Sequence, residues 1–244
     1  GCTNGYLLVG CHSHDSPLDL AEATKNSCNA YFCQVFRRIL DNPAYPSVSA
    51  AYEKWRGYLD QFGFGRTLGS DFTNELQGFV PQLSYYDRFF GKDKLKSLNI
   101  ISLAIGQGEI GTTPLQMANM TSAIANRGHY YTPHIVKRIG SSDRVPGDSG
   151  MRHDIAIDSV NFEHLIDGME QAVNGGAGAT ATIAAIKDIT VCGKTGTAQN
   201  PHGKDHSIFV AFAPRNDPKI AIAVYVENAG FGATYAAPIA SLII

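Results

Sequence analysis

Apolar residues recur along the chain in two rhythms, helical in the first two-thirds and strand-like near the end. Tyr31, Phe32, Val35, Phe36, Ile39 and Leu40 fall at i, i+1, i+4, i+5 spacing, which places them on one face of a helix. Upstream, Ser16-Pro17 followed by Asp19 combines a capping hydroxyl, a preset φ and a carboxylate near a positive helix end, so a short helix is expected from Leu18 to Lys25. Asn26-Ser27-Cys28-Asn29 between them are poor helix formers, so Ser27-Cys28-Asn29 is expected at a helix-helix junction. Beyond Pro43 and Pro46, the residues Ala51, Trp55, Tyr58, Leu59 and Phe62 restart the helical rhythm, and Gly63 can close it.

From Gly63 to Ile100 glycines punctuate the chain and few stretches are periodic, which reads as irregular loop. Thr113-Pro114 opens another helix, with Leu115, Ala118, Ser122 and Ala125 on one face and Gly128 at its end. Pro133 to Val136 reads as a short strand, and residues 140–158 as a polar connector. Ser159 is expected to cap a helix carrying Phe162, Leu165, Ile166, Met169 and Val173, ended by Asn174-Gly175-Gly176. The rhythm then changes. Ile189-Thr190-Val191, Ser207 to Ala213 and Ile220 to Val226 are β-rich runs separated by Asn200-Pro201-His202-Gly203 and by Pro214-Arg215-Asn216-Asp217-Pro218. Three antiparallel strands in a meander fit this pattern, with Ala233 to Ile244 a helix laid on the sheet. Helices first and a meander afterwards predict an α+β domain, not alternating βαβ units.

With 244 residues, 44% apolar and 17% charged, the chain can bury a sizeable core, which excludes disorder. The net charge is −2, and basic residues pair only at Arg37-Arg38 and Lys137-Arg138, which argues against a nucleic-acid or anionic-membrane surface. No apolar run approaches the ~18 to 20 residues of a membrane span, and the N-terminus lacks the charged and apolar regions of a signal peptide, so a soluble domain is expected. Five cysteines, four of them in the first 33 residues, are too few for a disulfide scaffold and leave the redox compartment open.

Lys194-Thr195-Gly196-Thr197 follows the run Ile189 to Cys192. It is expected to set an ammonium, two hydroxyls and a bare glycine at a strand end beside a cleft, a combination that attracts a carboxylate and lets a ligand approach the backbone. Ser27-x-Asn29 supplies a hydroxyl that can pass a proton and an amide that can orient a carbonyl. Each alone also fits a plainer role, a surface lysine beside a turn or a helix cap. Together and in this order they resemble the second and third motifs of the penicillin-recognising serine acyltransferases. The strings Phe62-Gly63-Phe64-Gly65, Gly106-Gln107-Gly108-Glu109, Thr113-Pro114-Leu115-Gln116-Met117-Ala118, Lys194-Thr195-Gly196-Thr197-Ala198-Gln199 and His206-Ser207-Ile208-Phe209 through Ala213-Pro214 extend the likeness. From Leu18 onward the chain resembles class B penicillin-binding proteins, and within them the penicillin-binding protein 2 branch, which cross-links peptidoglycan during elongation. It departs at Ile208, where that family usually has tryptophan. No lysine has Ser or Thr three residues upstream, so the family's Ser-x-x-Lys, which carries the nucleophile, is expected outside this chain.

The resemblance implies a penicillin-binding protein or serine β-lactamase-like transpeptidase fold, an antiparallel sheet flanked by helices, with residues 1–244 a partial domain lacking its N-terminal part. It implies a D,D-transpeptidase that cross-links peptidoglycan stem peptides through a serine acyl-enzyme, is acylated by β-lactam antibiotics and needs no cofactor for catalysis. Ser27 would relay a proton to the leaving group, Asn29 would hold the substrate amide and Lys194 would assist Ser27. Thr195, Gly196 and Thr197 would bind the substrate, with the Thr197 N–H an oxyanion donor. The family also implies the periplasmic face of a bacterial inner membrane, an anchor outside this chain, a membrane glycosyltransferase and elongation-complex proteins as partners, and no nucleic acid. Other readings are a D,D-carboxypeptidase or serine β-lactamase of the same fold, or a non-catalytic β-lactam sensor. Against the β-lactamase stand the Gly106 to Ala118 string and the lack of a Glu-x-x-Leu-Asn.

A second cluster lies outside that chemistry. Cys2, Cys11, His12, His14 and Cys28 crowd the N-terminal stretch, and Cys11-x-x-His14 suits two ligands of a tetrahedral ion. The expected set for a structural zinc is Cys2, Cys11, His14 and Cys28, with His12 as substitute; the alternative is ordinary thiols, buried or joined as a Cys2-Cys11 disulfide. His129, His134, His153, His164 and His202 are read as surface or packing residues, and His206 as a support for the Lys-Thr-Gly strand.

Overall fold

The computed structural model describes residues 9–11, 13–15, 18–140 and 150–244. Helix α1 (Leu20–Lys25) starts at Asp19, whose carboxylate accepts the Glu22 N–H at 2.8 Å. The helix therefore begins slightly later than expected, while Ser16-Pro17 lies outside the described residues. Helix α2 (Asn29–Leu40) follows almost at once and buries Cys33, Phe36 and Leu40. Helix α3 (Val48–Gln61), capped by the Ser47 hydroxyl, packs Trp55 edge-on against Phe36, with ring centroids 5.0 Å apart.

The segment expected as loop contains helix α4 (Leu83–Phe90) and a 3₁₀ helix, Ser97–Ile105. Its aromatic residues have modest helix propensity, so tertiary packing decides the matter. Tyr86 is buried against Tyr52, and Leu95, Ile100 and Leu103 complete that cluster. Helix α5 (Pro114–Ala125) has the full capping box expected of Thr113-Pro114, with the Thr113 hydroxyl and the Gln116 carboxamide exchanging hydrogen bonds with each other's N–H. The fully buried Gln116 Nε2 also donates to the carbonyls of Gly63, Arg66 and Gln77, which pins the loops around it.

Strands β1 (His129–Tyr131) and β2 (Arg152–Asp154) pair antiparallel with Tyr130 opposite His153. The strand expected at Pro133 to Val136 does not form. The N–H groups of Ile135 and Val136 instead donate to the Asp71 carboxylate at 2.8 to 3.0 Å, and these bonds hold Asp71 below the usual carboxylate range. The stretch expected as a connector thus contains β2, while residues 141–149 lie outside the described set. Helix α6 (Ser159–Asn174) is capped by Asp158, one residue before the expected Ser159. It buries Phe162, Ile166, Met169 and Val173, each contributing roughly 1.5 to 3 kcal/mol.

The remaining strands, β3 (Cys192–Ala198), β4 (His206–Ala213) and β5 (Ile220–Val226), form the expected antiparallel meander in the order β3-β4-β5. Helix α7 (Ala236–Ile243) covers one face, where Phe209, Ala211 and Ala213 meet Ala236, Ala237 and Ala240. On the other face Phe212 and Cys192 meet α5 and α6, and burial pushes the Cys192 thiol up to about 12. One expectation shifts: the first strand begins at Cys192, not at Ile189, and contains all of Lys194-Thr195-Gly196-Thr197. Ile189 bridges back to Ile186 around Asp188, which has a φ of 64°, so the β-branched run makes a turn. The glycines that hide the true strand are required by packing, because a Cβ on Gly193 would overlap the Phe209 ring.

Candidate active site

Strand β3 is an edge strand, and a cleft of about 580 Å³ opens between it and the α1-α2 junction. Ser27, Asn29, Lys194, Thr195, Gly196 and Thr197, far apart in sequence, all line it. The junction gives Ser27 a left-handed backbone, φ 52°, with its N–H on the Thr24 carbonyl at 3.2 Å. Such a conformation is uncommon for a non-glycine residue and persists where its surroundings hold it. Lys194 Nζ donates to the Ser27 hydroxyl at 2.8 Å and to the Thr195 carbonyl at 2.8 Å. Burial lowers the Lys194 pKa to about 8, because desolvation disfavours the ammonium. The Thr195 hydroxyl meets that of Thr180 at 3.5 Å, and Thr180 in turn donates to the Lys25 carbonyl at 3.2 Å, which links the strand to the end of α1.

Backbone groups of β3 matter as much as its side chains. The Thr197 carbonyl accepts Gln107 Nε2 at 2.9 Å, and the Thr195 carbonyl accepts Lys194, so both point away from β4 into the cleft. In an antiparallel strand the N–H and C=O of one residue face the same side, so the Thr197 N–H also faces the cleft. The arrangement offers an ammonium next to a hydroxyl, two threonine side chains, and an edge that can pair with extended chain.

Asn29, the first residue of α2, donates Nδ2 to the Gly10 carbonyl at 2.7 Å. The N-terminal segment therefore stands against the junction. Cys11 Sγ lies 3.6 Å from Cys28 Sγ and 3.6 Å from His14 Nε2, and the three ligand atoms are all within 4.8 Å of one another. The sulfurs are too far apart for a disulfide, whose S–S length is about 2.05 Å. Tetrahedral zinc with ordinary Zn–S and Zn–N bonds sets S···S at ~3.8 Å and S···N at ~3.6 Å, and the two separations from Cys11 fit that template. Cys28 Sγ accepts the Tyr31 N–H at 3.3 Å at the start of α2. His14 Nδ1 meets the Asp15 carbonyl at 2.8 Å, which leaves Nε2 turned to the sulfurs as in a metal ligand. Cys2 and His12 lie outside the described residues.

Of the other described histidines, His134, His164 and His202 are exposed, and His153 and His206 have packing or hydrogen-bonding partners. His153 stacks on Tyr130 at 4.8 Å and bonds the Thr132 hydroxyl, while His206 Nδ1 accepts the Asn228 N–H. Sequence reasoning assigned no role to Gln107, Thr180, Phe231 or Gly232, which also line the cleft. Gln107 carries a signal, a polar residue between two glycines; Thr180 sits in an aperiodic stretch with none.

Comparison with known proteins agrees with this geometry. Peptidoglycan D,D-transpeptidase MrdA of Haemophilus influenzae is 30% identical over 93% of this chain, which covers 36% of that protein. The chain thus spans about a third of such a relative's length. Among solved structures, Pseudomonas aeruginosa PBP2 in complex with WCK 5153 superposes with a TM-score of 0.79 at 32% identity, over 94% of this chain and 49% of that one. Helicobacter pylori PBP2 in complex with MreC gives a TM-score of 0.73 at 27% identity, over 92% and 39%. Among the described residues no helix is long and apolar enough to cross a membrane. The family model for the penicillin binding protein transpeptidase domain matches residues 4–244, and this chain belongs to that family.

Proposed function

We propose that this chain supplies the substrate-binding and proton-relay side of a peptidoglycan D,D-transpeptidase of the PBP2 type, whose acylated serine lies in sequence outside residues 1–244. The observation that carries this reading is the 2.8 Å bond from Lys194 to Ser27 across a cleft bounded by the edge of β3. The serine attacks the carbonyl of the penultimate D-alanine of a stem peptide, the bond to the terminal D-alanine breaks, and the departing nitrogen takes a proton through Ser27. An amine of a neighbouring stem then attacks the acyl-enzyme and completes the cross-link. Lys194 keeps positive charge beside Ser27, the Thr195 and Thr197 hydroxyls bind the terminal carboxylate, and Asn29 orients the substrate amide. The Thr197 N–H donates to the oxyanion, an interaction of roughly 3 kcal/mol in related chemistry. A β-lactam with its carboxylate and strained amide acylates the same serine.

No cofactor takes part in the reaction. Cys11, His14 and Cys28 would hold a structural zinc, with Cys2 the fourth ligand from the sequence. Bound there, the ion would supply rigidity to the segment whose Gly10 carbonyl accepts Asn29 Nδ2. The family relationship supports a site of action at the periplasmic face of an inner membrane, with the anchor outside this chain and with a membrane glycosyltransferase and elongation-complex proteins as partners. A PBP2 relative solved with MreC supports that assembly.

Incubation of the full-length protein with benzylpenicillin, read by intact mass and peptide mapping, tests the reading. One adduct on a serine outside residues 1–244 is expected, and none on residues 1–244 alone. An adduct on Ser27, or none on the full-length protein, would falsify it. Elemental analysis after chelator-free purification tests the metal: less than ~0.1 equivalent of zinc rules it out, since structural sites bind tightly.

A further inference from the structure

We propose that Gln107 is a positioning residue that occupies a peptide acceptor of β3, so that a ligand pairs with the Thr197 carbonyl by displacing the Gln107 carboxamide. The inference rests on the transpeptidase reading and deepens it, by assigning Gln107 a penalty on ligands that bring an amide N–H to this carbonyl. The Thr197 carbonyl faces the cleft and is held by Gln107 Nε2 at 2.9 Å, and both residues line the cavity. An extended peptide adding to an edge strand needs such carbonyls as acceptors for its own N–H groups. Gln107 already satisfies one of them, as an incoming strand would.

The loop that aims Gln107 is built for that direction. Gly106 and Gly108 have φ of 70° and 81°, a region open to glycine at little cost, and the Gln107 N–H is fixed on the Ser102 carbonyl at 3.1 Å. A Cβ on Gly108 would lie 2.6 Å from the Ser102 hydroxyl. The loop is rooted in the 3₁₀ helix Ser97–Ile105, which packs on α2, the helix that begins with Asn29. The Gln107-Thr197 bond therefore ties one wall of the cleft to the other. The carboxamide has rotatable bonds beyond a fixed backbone, so it can swing aside while β3 stays in register with β4.

Displacement penalises only ligands that need the Thr197 carbonyl. Benzylpenicillin has a side-chain amide N–H to place there; imipenem has a hydroxyethyl group and no such amide. The experiment measures second-order acylation of the full-length protein by both compounds, in wild type, Gln107→Leu and Gln107→Glu. Leucine keeps most of the volume and removes the donors. Glutamate keeps the shape, and its carboxylate cannot donate; because imipenem also carries a cationic amidinium, the ratios are taken at high salt, which screens the added charge. The ratio of benzylpenicillin to imipenem rates is expected to rise about fivefold in both variants, the effect of no longer breaking one hydrogen bond. If Gln107 only braces the fold, both rates fall together and the ratio stays put, which overturns the proposal. A fall in the ratio means that Gln107 helps to hold the amide and overturns it too. If neither compound acylates the wild type, the transpeptidase reading fails and this inference falls with it. Should one variant fail to fold, seen as loss of a cooperative melting transition, the other decides the case.

Discussion

The two walls of the cleft are held in different ways. On the strand wall, the seven residues of β3 are laddered to β4, and the sheet is packed by α7 on one face and by α5 and α6 on the other. Register alone aims Thr195 and Thr197, and many contacts share the load. On the junction wall, Ser27 sits in a left-handed conformation, Asn29 bonds a single carbonyl, and Cys28 caps α2 beside Cys11. Among the described residues, individual polar contacts aim the groups there. The strand wall should therefore resist loss of any one polar contact but not the intrusion of an atom, while the junction wall should show the reverse.

The largest expected effect lies where the walls meet. Lys194→Ala in the full-length protein should lower acylation by benzylpenicillin by about 10²- to 10⁴-fold, the usual range for loss of a positioned proton-transfer group. Its melting should change little, since the buried ammonium is costly to desolvate. A mass-spectrometric time course reads the first quantity, and a loss below tenfold would separate Lys194 from the chemistry.

Next is a glycine contrast across the two walls. A Cβ on Gly232 would press into the Ile208 and Gly196 carbonyl oxygens, the latter at 2.5 Å, whereas a Cβ on Gly10 meets nothing within 4 Å. Gly232→Ala should cost ~3 kcal/mol in urea unfolding, because backbone cannot step aside, and Gly10→Ala should stay within ~0.5 kcal/mol. Equal effects would erase the distinction between the walls.

Smaller still is the cap. Cys28→Ala removes the acceptor for the Tyr31 N–H and should cost ~1 kcal/mol in metal-free protein. Cys28→Ser restores the cap but not a thiolate, so with zinc present it should remain less stable than wild type. If serine fully restores the zinc-loaded melting temperature, Cys28 is a cap and no more.

The last test varies pH. Lys194 is held at about 8 when folded, against an ordinary 10.5. Below about 8 it is protonated in both states, and the cost of burying the charge is complete. Between 8 and 10.5 the unfolded chain keeps a proton that the folded protein has released, so folding gains stability as pH rises. Wild type should thus gain on Lys194→Met across that window in denaturation midpoints. A constant difference from pH 7 to 11 would show that the ammonium is not desolvated.

How much was legible varies element by element. Thr113-Pro114, with Gln116 three residues after the cap, announced α5 because a capping box is a local device. The β-rich runs Ser207 to Ala213 and Ile220 to Val226, set off by Pro- and Gly-containing turns, announced β4 and β5 because β-branched and aromatic residues between turn signals suit a strand. Helix α4 was hidden because its aromatic residues are helical only once Tyr86 has Tyr52 to pack against. Strand β3 was misplaced because Gly193 and Gly196 carry no β preference, and their reason for being glycine lies on β4, at Phe209 and Ile208.

What this sequence determined by itself is therefore what neighbours in the chain decide: caps, periods, the α1-α2 junction, and the residue types at Ser27, Asn29 and Lys194. Tertiary structure decided their use. It brought Lys194 within 2.8 Å of Ser27, set Cys11, His14 and Cys28 around one point, and aimed Gln107 at Thr197. Each of these depends on the position of an atom whose neighbour is remote in sequence. Such positions follow from the packing of helices on a sheet and the register of an edge strand, and no local rule of the chain contains them.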